Sequence, residues 1–373
     1  MSATWSSIRD KELDDLVRLG FDGASASLAL SAEFAADPDN LVWDYFDEFV
    51  DGCLARDIRF IIILSEGPPV NAAWKALNAG VTWTVRNRPP AGTANAIYDK
   101  LVLIFQAVID RAKDKVEADG KVWVDTADIR LGNEPAKGGS GGPWVTSGPF
   151  TYDAPYSGYA DGTWDDQYHT YLSYVATRLE FYDCHVLAPS FECSSAFATE
   201  LTTVTASAGS GWRSVITAWS KSAYINRPTH WANGPDEFAQ AWHDSQVTQI
   251  DQIRGIQSAQ LPIMISEYGC SPAHIGMDGT WKRKLHYGEH GLYMRALRGR
   301  AKQLSIIGTT FYALTEPTTV DPTTGSFAPT FYNGSGRSYR ASWRHIAASG
   351  RENSGVQDPE GNDYAVAPGE VVL

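Results

Sequence analysis

The sequence predicts a single-domain (β/α)8 barrel, and three observations support this fold class. The chain has 373 residues, a length that suits one large α/β barrel better than two small domains. Extended apolar runs alternate with segments of helical periodicity almost to the end of the chain, a pattern typical of parallel strands covered by helices. No glycine-rich phosphate-binding fingerprint follows any of these runs, which disfavours the alternative of a doubly wound sheet.

The first half of the chain supplies four predicted strands. Apolar residues at helical spacing predict helices over 13–17, behind Asp37-Pro38, behind Thr93 and over 168–179. Extended runs predict strands over 21–30, 59–64, 129–134 and 185–191. The run 59–64 is apolar almost throughout, as expected for a parallel strand that is buried on both faces.

The second half adds three strands and the helices that follow them. Strands are predicted over 215–224, 263–269 and 305–312, and helices from Asp236, over 280–303 and over 339–348. Only residues 1–7 remain for a first strand, so that strand is either very short or supplied by preceding chain of a larger protein. Residues 1–350 are therefore assigned to the barrel, and the polar, glycine-rich residues 351–373 to a peripheral tail.

Charge and composition exclude several classes of partner. The formal net charge of −13 argues against binding to nucleic acid or to an anionic membrane. No apolar run approaches the roughly 18 residues of a membrane span. No signal peptide is visible, which leaves a cytoplasmic, a virion-associated and a processed secreted protein all open. The four cysteines lack metal-ligand spacing and are expected to be structural, with Cys184 and Cys193 held apart by a short strand.

Two glutamates are the strongest chemical signal. Glu134 and Glu267 each end an extended apolar run, where desolvation makes a carboxylate costly. Two carboxylates at strand ends suit glycoside hydrolysis, which needs one group to protonate the leaving oxygen and another to attack or to activate water. His286 and His290 do not form a metalloprotease motif, and no Gly-x-Ser-x-Gly elbow is present. No metal and no cofactor is therefore expected.

The local motifs resemble those of the clan A glycoside hydrolases. Asn133-Glu134-Pro135 and Ser266-Glu267-Tyr268-Gly269 match what these barrel enzymes carry at strands four and seven. The resemblance implies that Glu134 is the acid/base and Glu267 the nucleophile. The chain departs from the family at Ala24-Ser25-Ala26, Trp219-Ser220-Lys221 and Tyr312-Ala313-Leu314, so sugar and linkage specificity do not carry over.

The remaining site residues are predicted to bind substrate, and each has a plainer interpretation. Asn133 is expected either to hydrogen-bond the sugar 2-hydroxyl or to be a turn residue that ends the strand. Tyr224 is expected either to position the nucleophile or to be a core tyrosine. Tyr312 stands where relatives carry a typical tryptophan and is assigned to substrate binding. Sugar stacking or rim packing is expected for Trp144, Trp164, Trp212, Trp219 and Trp231. Substrate contacts or salt bridges are expected for Glu66, Glu192 and Glu316.

The sequence thus predicts a retaining glycoside hydrolase that cleaves a β-linked oligo- or polysaccharide by double displacement. The alternative is a non-catalytic carbohydrate-binding barrel within a larger assembly, such as a viral tail or a cell-surface complex. The missing secretion signal and the cramped first strand favour the alternative, whereas the intact glutamate pair opposes it. Endo or exo action and the oligomeric state are left open.

Overall fold

In the computed structural model of the chain, the described residues are 10, 13–14, 16–17, 23–27, 39–64, 94–132, 171–190, 210–224, 234–256, 261–269, 273–275, 281–284, 292–293, 296–297, 299–311, 318–320, 327–329, 356–357 and 363–364. The chain divides into two compact units. The first unit consists of Asp22–Ser222 and Asp251–Ile265. The second consists of Met1–Phe21, Ala223–Ile250 and Ser266–Leu373.

The described part of the chain alternates between strands and helices up to β6. The helices are α1 (Asp44–Leu54), α2 (Ala94–Ala118), α3 (Trp123–Thr126) and α4 (Pro235–Ile256), with a 3-10 helix at Ser210–Ser214. The strands are β1 (Gly23–Ser27), β2 (Arg59–Ile63), β3 (Ala127–Arg130), β4 (His185–Leu187), β5 (Trp219–Tyr224), β6 (Ile263–Gly269), β7 (Ala273–Ile275), β8 (Trp281–Lys284), β9 (Gly308–Phe311), β10 (Thr318–Val320), β11 (Phe327–Pro329), β12 (Val356–Gln357) and β13 (Asp363–Tyr364). Residues 171–176 are also helical, as are described positions between 292 and 301. None of the described helices is long and apolar enough to cross a membrane.

A parallel sheet with strand order β1-β2-β3-β4 forms the centre of the first unit. A parallel bridge between Leu187 and Ala218 carries the hydrogen bonding on from β4 to the residue before β5. A three-stranded sheet has the order β5-β6-β9. These seven strands lie where the sequence predicts strands, and within each sheet they follow the order of the chain, which confirms an α/β fold with parallel strand pairing.

The two faces of the first sheet bury different side chains. Phe60 of β2 meets Phe49 of α1 edge-on, with ring centroids 6.2 Å apart, so Phe60 faces the helices. Because side chains alternate along a strand, Ile61 points to the opposite face. There Ile61, Leu187 and Ala218 form an apolar cluster. We call this opposite face the inner face of the sheet.

Ion pairs join α1 to α2 on the outer side of the first unit. Arg111 donates to Asp47 with an Nε–Oδ1 distance of 2.6 Å, and Lys115 donates to Asp51 at 2.8 Å. The guanidinium of Arg111 also lies 4.8 Å from the centroid of the Trp43 ring. The two helices are therefore joined to each other beside the sheet.

The second unit is organised around the first part of α4. Trp242 lies 6.0 Å from Tyr268 of β6, measured between ring centroids, and its Nε1 donates to the carbonyl of Ala223 at 2.7 Å. Phe238, one turn earlier, packs edge-on against Tyr293 at 5.2 Å. Three two-stranded sheets, β7-β8, β10-β11 and β12-β13, are antiparallel. The last of them lies in the segment that the sequence assigns to a polar tail.

Two predicted helices differ from the structure. The helix expected behind Asp37-Pro38 begins only at Asp44, and its first turn carries Asp44 and Asp47, where the helix dipole favours negative charge. The helix expected over 280–303 is wrong in its first part, because Trp281–Lys284 pairs with β7. Pairing with a neighbouring strand overrides a helical pattern of this length. The helix predicted over 339–348 lies outside the described residues.

The strand predicted over 215–224 starts four residues late. Val215 closes a turn after the 3-10 helix, with its N–H donating to the carbonyl of Trp212 at 3.2 Å. The hydroxyl of Thr217 then accepts a hydrogen bond from the N–H of Val186. A side chain thus takes the place of a backbone partner for the N–H of Val186, and after the bridge at Ala218 the strand itself begins at Trp219.

Candidate active site

The end of β3 leads directly to the first predicted catalytic residue. The N–H of Leu64 donates to the carbonyl of Arg130 at 2.9 Å, and the N–H of Leu131 donates to the carbonyl of Leu187 at 3.1 Å. The backbone is thus held on both sides up to Leu131. Asn133 and Glu134 lie just beyond Gly132, outside the described residues.

Gly132 sets the direction in which the chain leaves this strand. Its φ is 140°, a conformation that residues with a Cβ rarely adopt. Its carbonyl accepts a hydrogen bond of 3.3 Å from the N–H of Ser190, which follows β4. Both the conformation and the hydrogen bond act two residues before Glu134.

Buried serines lie just after β4 and within β5. The hydroxyls of Ser190 and Ser222 are hydrogen-bonded to each other at 2.8 Å, and both residues are fully buried. Ser220 is also fully buried, and its hydroxyl donates to the carbonyl of Ala188 at 2.6 Å. Because these hydroxyls are paired, their burial does not carry the cost of an unsatisfied polar group.

Positive charge is buried in β3 below this end of the sheet. The side chain of Arg130 is 1% exposed, and the residue lies between Ile63 and Leu187 in the register of the sheet. Near the amino end of β3, Arg59 donates through Nε to Asp128 at 2.9 Å. The hydrogen bond and charge of Asp128 raise the pKa of Arg59 despite its partial burial.

The second predicted catalytic residue lies in β6. Glu267 is the fifth of the seven residues of this strand, near its carboxyl end. Its neighbours Ser266 and Tyr268 are both buried. The backbone around Glu267 is therefore regular strand.

Two of the tryptophans expected to stack on sugars are core residues. Trp212 and Trp219 are 0% and 1% exposed, and their rings pack edge-on with centroids 5.9 Å apart. Trp219 also begins β5, whereas barrel active sites form at the carboxyl ends of strands. An enclosed ring has no face for a sugar, so this packing is inconsistent with the stacking expected of Trp212 and Trp219. The large apolar area of the indole rings explains their place in the core.

The other predicted site residues are described in part or not at all. Tyr224 is the last residue of β5. The remaining glutamates, aromatic residues and asparagine assigned to the site lie outside the described residues: Glu66, Asn133, Glu134, Trp144, Trp164, Glu192, Trp231, Tyr312 and Glu316. Within the described part of the chain, no group of three or more His, Cys, Asp or Glu side chains could hold a metal ion.

Sequence reasoning missed Gly132, Ser190 and Ser222. The only signal for Gly132 was a glycine between an apolar strand and the Asn-Glu pair, a position where a strained turn is common. The two serines carried no signal, because their pairing joins residues 32 positions apart in the sequence.

Comparison with solved structures shows which proteins share this fold. A GH39 enzyme from Xanthomonas axonopodis pv. citri superposes with a TM-score of 0.55 and 14% identity, covering 92% of this chain and 62% of the other. A psychrophilic glycoside hydrolase family 10 endo-β-1,4-xylanase superposes with a TM-score of 0.52 and 13% identity, covering 91% of this chain and 94% of the other. A GH5-4 broad specificity endoglucanase from an uncultured bacterium superposes with a TM-score of 0.51 and 13% identity, covering 91% of this chain and 83% of the other.

These likenesses confirm, at the level of the fold, the resemblance to clan A glycoside hydrolases. The chain spans less than two thirds of the length of the GH39 enzyme and nearly the whole of the family 10 xylanase. No protein family model matches the sequence, and no curated protein matches it either. At identities of 13–14%, the likeness concerns the fold and not the substrate.

Proposed function

We propose that the chain is a retaining glycoside hydrolase that acts on a β-linked oligo- or polysaccharide. The seven chain-ordered strands, completed by a first strand, would close into a (β/α)8 barrel like that of the clan A enzymes. The observation that carries the proposal is the placement of the two motifs. Glu267 lies near the carboxyl end of β6, and Asn133-Glu134 follows the carboxyl end of β3, in a chain that has the fold of glycoside hydrolases.

The roles follow from the chemistry of double displacement. Glu267 attacks the anomeric carbon, and the bond to the leaving oxygen breaks as Glu134 transfers its proton to that oxygen. A covalent glycosyl-enzyme results. Glu134, now a carboxylate, takes a proton from water, which attacks the anomeric carbon and releases Glu267. The reaction consumes one water and needs no metal or cofactor.

The register of β3 shows which of its side chains share a face. Arg130 and Asp128 lie on one face of β3, and the strand ends before Gly132 and Glu134. Because Asp128 pairs in register with Ile61, that face is the inner face of the sheet, which would become the interior of a closed barrel. Sugar stacking is assigned to Trp144, Trp164 and Trp231, since Trp212 and Trp219 are enclosed in the core. Asn133, Tyr224 and Tyr312 are kept as substrate-binding residues.

The family names of the structural neighbours indicate a substrate class. They include a β-1,4-xylanase and an endoglucanase, so β-1,4-linked plant polysaccharides are the first substrates to test. Release of reducing ends from a panel of such polysaccharides measures the activity directly. Binding without release would instead support the non-catalytic carbohydrate-binding barrel.

Azide rescue tests the role of each carboxylate. Glu267→Gln should abolish turnover of every substrate, because an amide cannot form the glycosyl-enzyme. Glu134→Ala should lose about 10²–10⁴-fold on natural substrates but much less on aryl glycosides, whose leaving groups need little protonation. Azide should rescue Glu134→Ala and yield a β-glycosyl azide. Rescue of Glu267→Ala to an α-azide would confirm its role as nucleophile, whereas a β-azide from that variant would reverse the two roles.

A further inference from the structure

A chain of hydrogen bonds connects β5, β4 and β3 just before the predicted acid/base. The hydroxyl of Ser222 is bonded to the hydroxyl of Ser190 at 2.8 Å, and the N–H of Ser190 donates to the carbonyl of Gly132 at 3.3 Å. Both serines are fully buried, so water does not compete for these hydrogen bonds. We call this chain of contacts the serine tether.

The tether acts at a point where small backbone rotations have large consequences. Gly132 has a φ of 140°, and as a glycine it can adopt many other backbone conformations at little steric cost. Rotation about its backbone bonds would change the direction in which the chain continues toward Asn133 and Glu134. A hydrogen bond to its carbonyl removes that freedom, but only if Ser190 is itself held in place.

We propose that Ser190 and Ser222 are positioning residues for the acid/base, an inference that rests on the proposed function. The hydroxyl pair fixes Ser190, and Ser190 fixes the Gly132 carbonyl. The hydrogen bonds would thereby fix the orientation of Glu134 toward the leaving oxygen, although Ser222 lies two strands away from β3. Both serines are fully buried, so we expect the tether to affect proton transfer and not substrate binding.

The expected kinetic effect is selective for the leaving group. Ser190→Ala and Ser222→Ala should each lower kcat on an oligosaccharide by about 10-fold with little change in KM, because a misplaced acid loses part of its 10²–10⁴-fold contribution. An aryl glycoside with a good leaving group should lose less than about twofold in its glycosylation step. The double variant should be no worse than either single variant, since one hydroxyl without its partner already breaks the tether.

Ser220→Ala is the matched control. Ser220 lies on the same strand as Ser222 and is equally buried, but the hydrogen bond of its hydroxyl goes to the carbonyl of Ala188 and not to Ser190. The Ser220→Ala variant should therefore lose about as much stability as the two tether variants, while its rates on the two substrate types keep the ratio found in the unchanged protein. Equal losses on both substrate types, or the same selective loss in Ser220→Ala, would overturn the proposal.

Amide hydrogen exchange separates failure of the tether from failure of the proposed function. The N–H of Ser190 should exchange at least about 10-fold faster in Ser222→Ala than in the unchanged protein, and not in Ser220→Ala. If the protein hydrolyses no glycoside but this difference is found, the proposed function fails and the tether remains. If Ser190 exchanges at the same rate in all three proteins, the tether is wrong whatever the activity.

Discussion

At the scale of single residues, Cys184 shows how a local environment decides chemistry. Its thiol donates to the carbonyl of Ala127 at 3.0 Å, and burial raises its pKa from 9.0 to about 12. Because the thiolate is the reactive form, this cysteine is inert near neutral pH. Cys53 is likewise a buried free thiol, as expected from its place on the apolar face of α1. Both cysteines are thus buried free thiols, which is consistent with the structural role predicted for them.

The raised pKa predicts how stability depends on pH. Both states carry a neutral thiol below pH 9, and only the unfolded state ionises as pH rises from about 9 toward about 12. The native protein should therefore lose stability over this range, and Cys184→Ala should show a shallower decline. Urea unfolding of the unchanged protein and of Cys184→Ala at a series of pH values measures the difference. Parallel pH curves for the unchanged protein and Cys184→Ala would contradict the prediction.

At the scale of elements, the Arg59–Asp128 ion pair connects β2 to β3. Arg59 also donates to the carbonyls of Val124 and Ala127, so one guanidinium joins β2 to α3 and to the start of β3. The contact lies beside the parallel register of the two strands, in which Ile61 is paired with Asp128. It holds the amino ends of these strands together, at the end of the sheet away from the candidate site.

Removing this ion pair should cost stability and leave activity unchanged. Asp128→Asn removes the carboxylate charge from a half-buried guanidinium, and we expect a loss of about 1–3 kcal/mol in the free energy of unfolding. Glu117→Gln is the control, because it removes the exposed pair with Lys113 and should cost less than about 0.5 kcal/mol. Urea unfolding compares the two variants. Equal losses in the free energy of unfolding would show that the Arg59–Asp128 pair contributes no more to stability than an exposed pair.

The elements also show what the sequence could predict. Parallel strands such as β2 and β6 were recognisable because buried strands are continuous apolar runs. The hairpin β7-β8 was not, because Trp281–Lys284 becomes a strand only through pairing with β7. Trp219 was misjudged because exposure of an aromatic residue near a strand end depends on which neighbour covers it, here Trp212. The two glutamates remain a prediction from local motifs, whereas the serine tether depends on contacts between residues distant in the sequence.

At the scale of the whole molecule, the net charge and the fold are both compatible with the proposed function. A net charge of −13 disfavours polyanions and is compatible with a neutral ligand such as the proposed polysaccharide. The α/β fold resembles enzymes whose sites form at the carboxyl ends of parallel strands. Glu267 lies near the carboxyl end of β6, and Glu134 follows β3 in the sequence.

The stereochemical outcome of hydrolysis tests this arrangement as a whole. In a retaining enzyme the two carboxyl groups lie about 5–5.5 Å apart, so that the second attacks the sugar directly, whereas inversion needs about 6.5–9.5 Å to admit a water. We expect the first product from a β-linked substrate to be the β anomer, with the α anomer appearing only as the sugar mutarotates. Proton NMR of the anomeric signals during the first minutes distinguishes the two. An α anomer formed first would show that water attacks in place of Glu267, and the double-displacement mechanism would have to be abandoned.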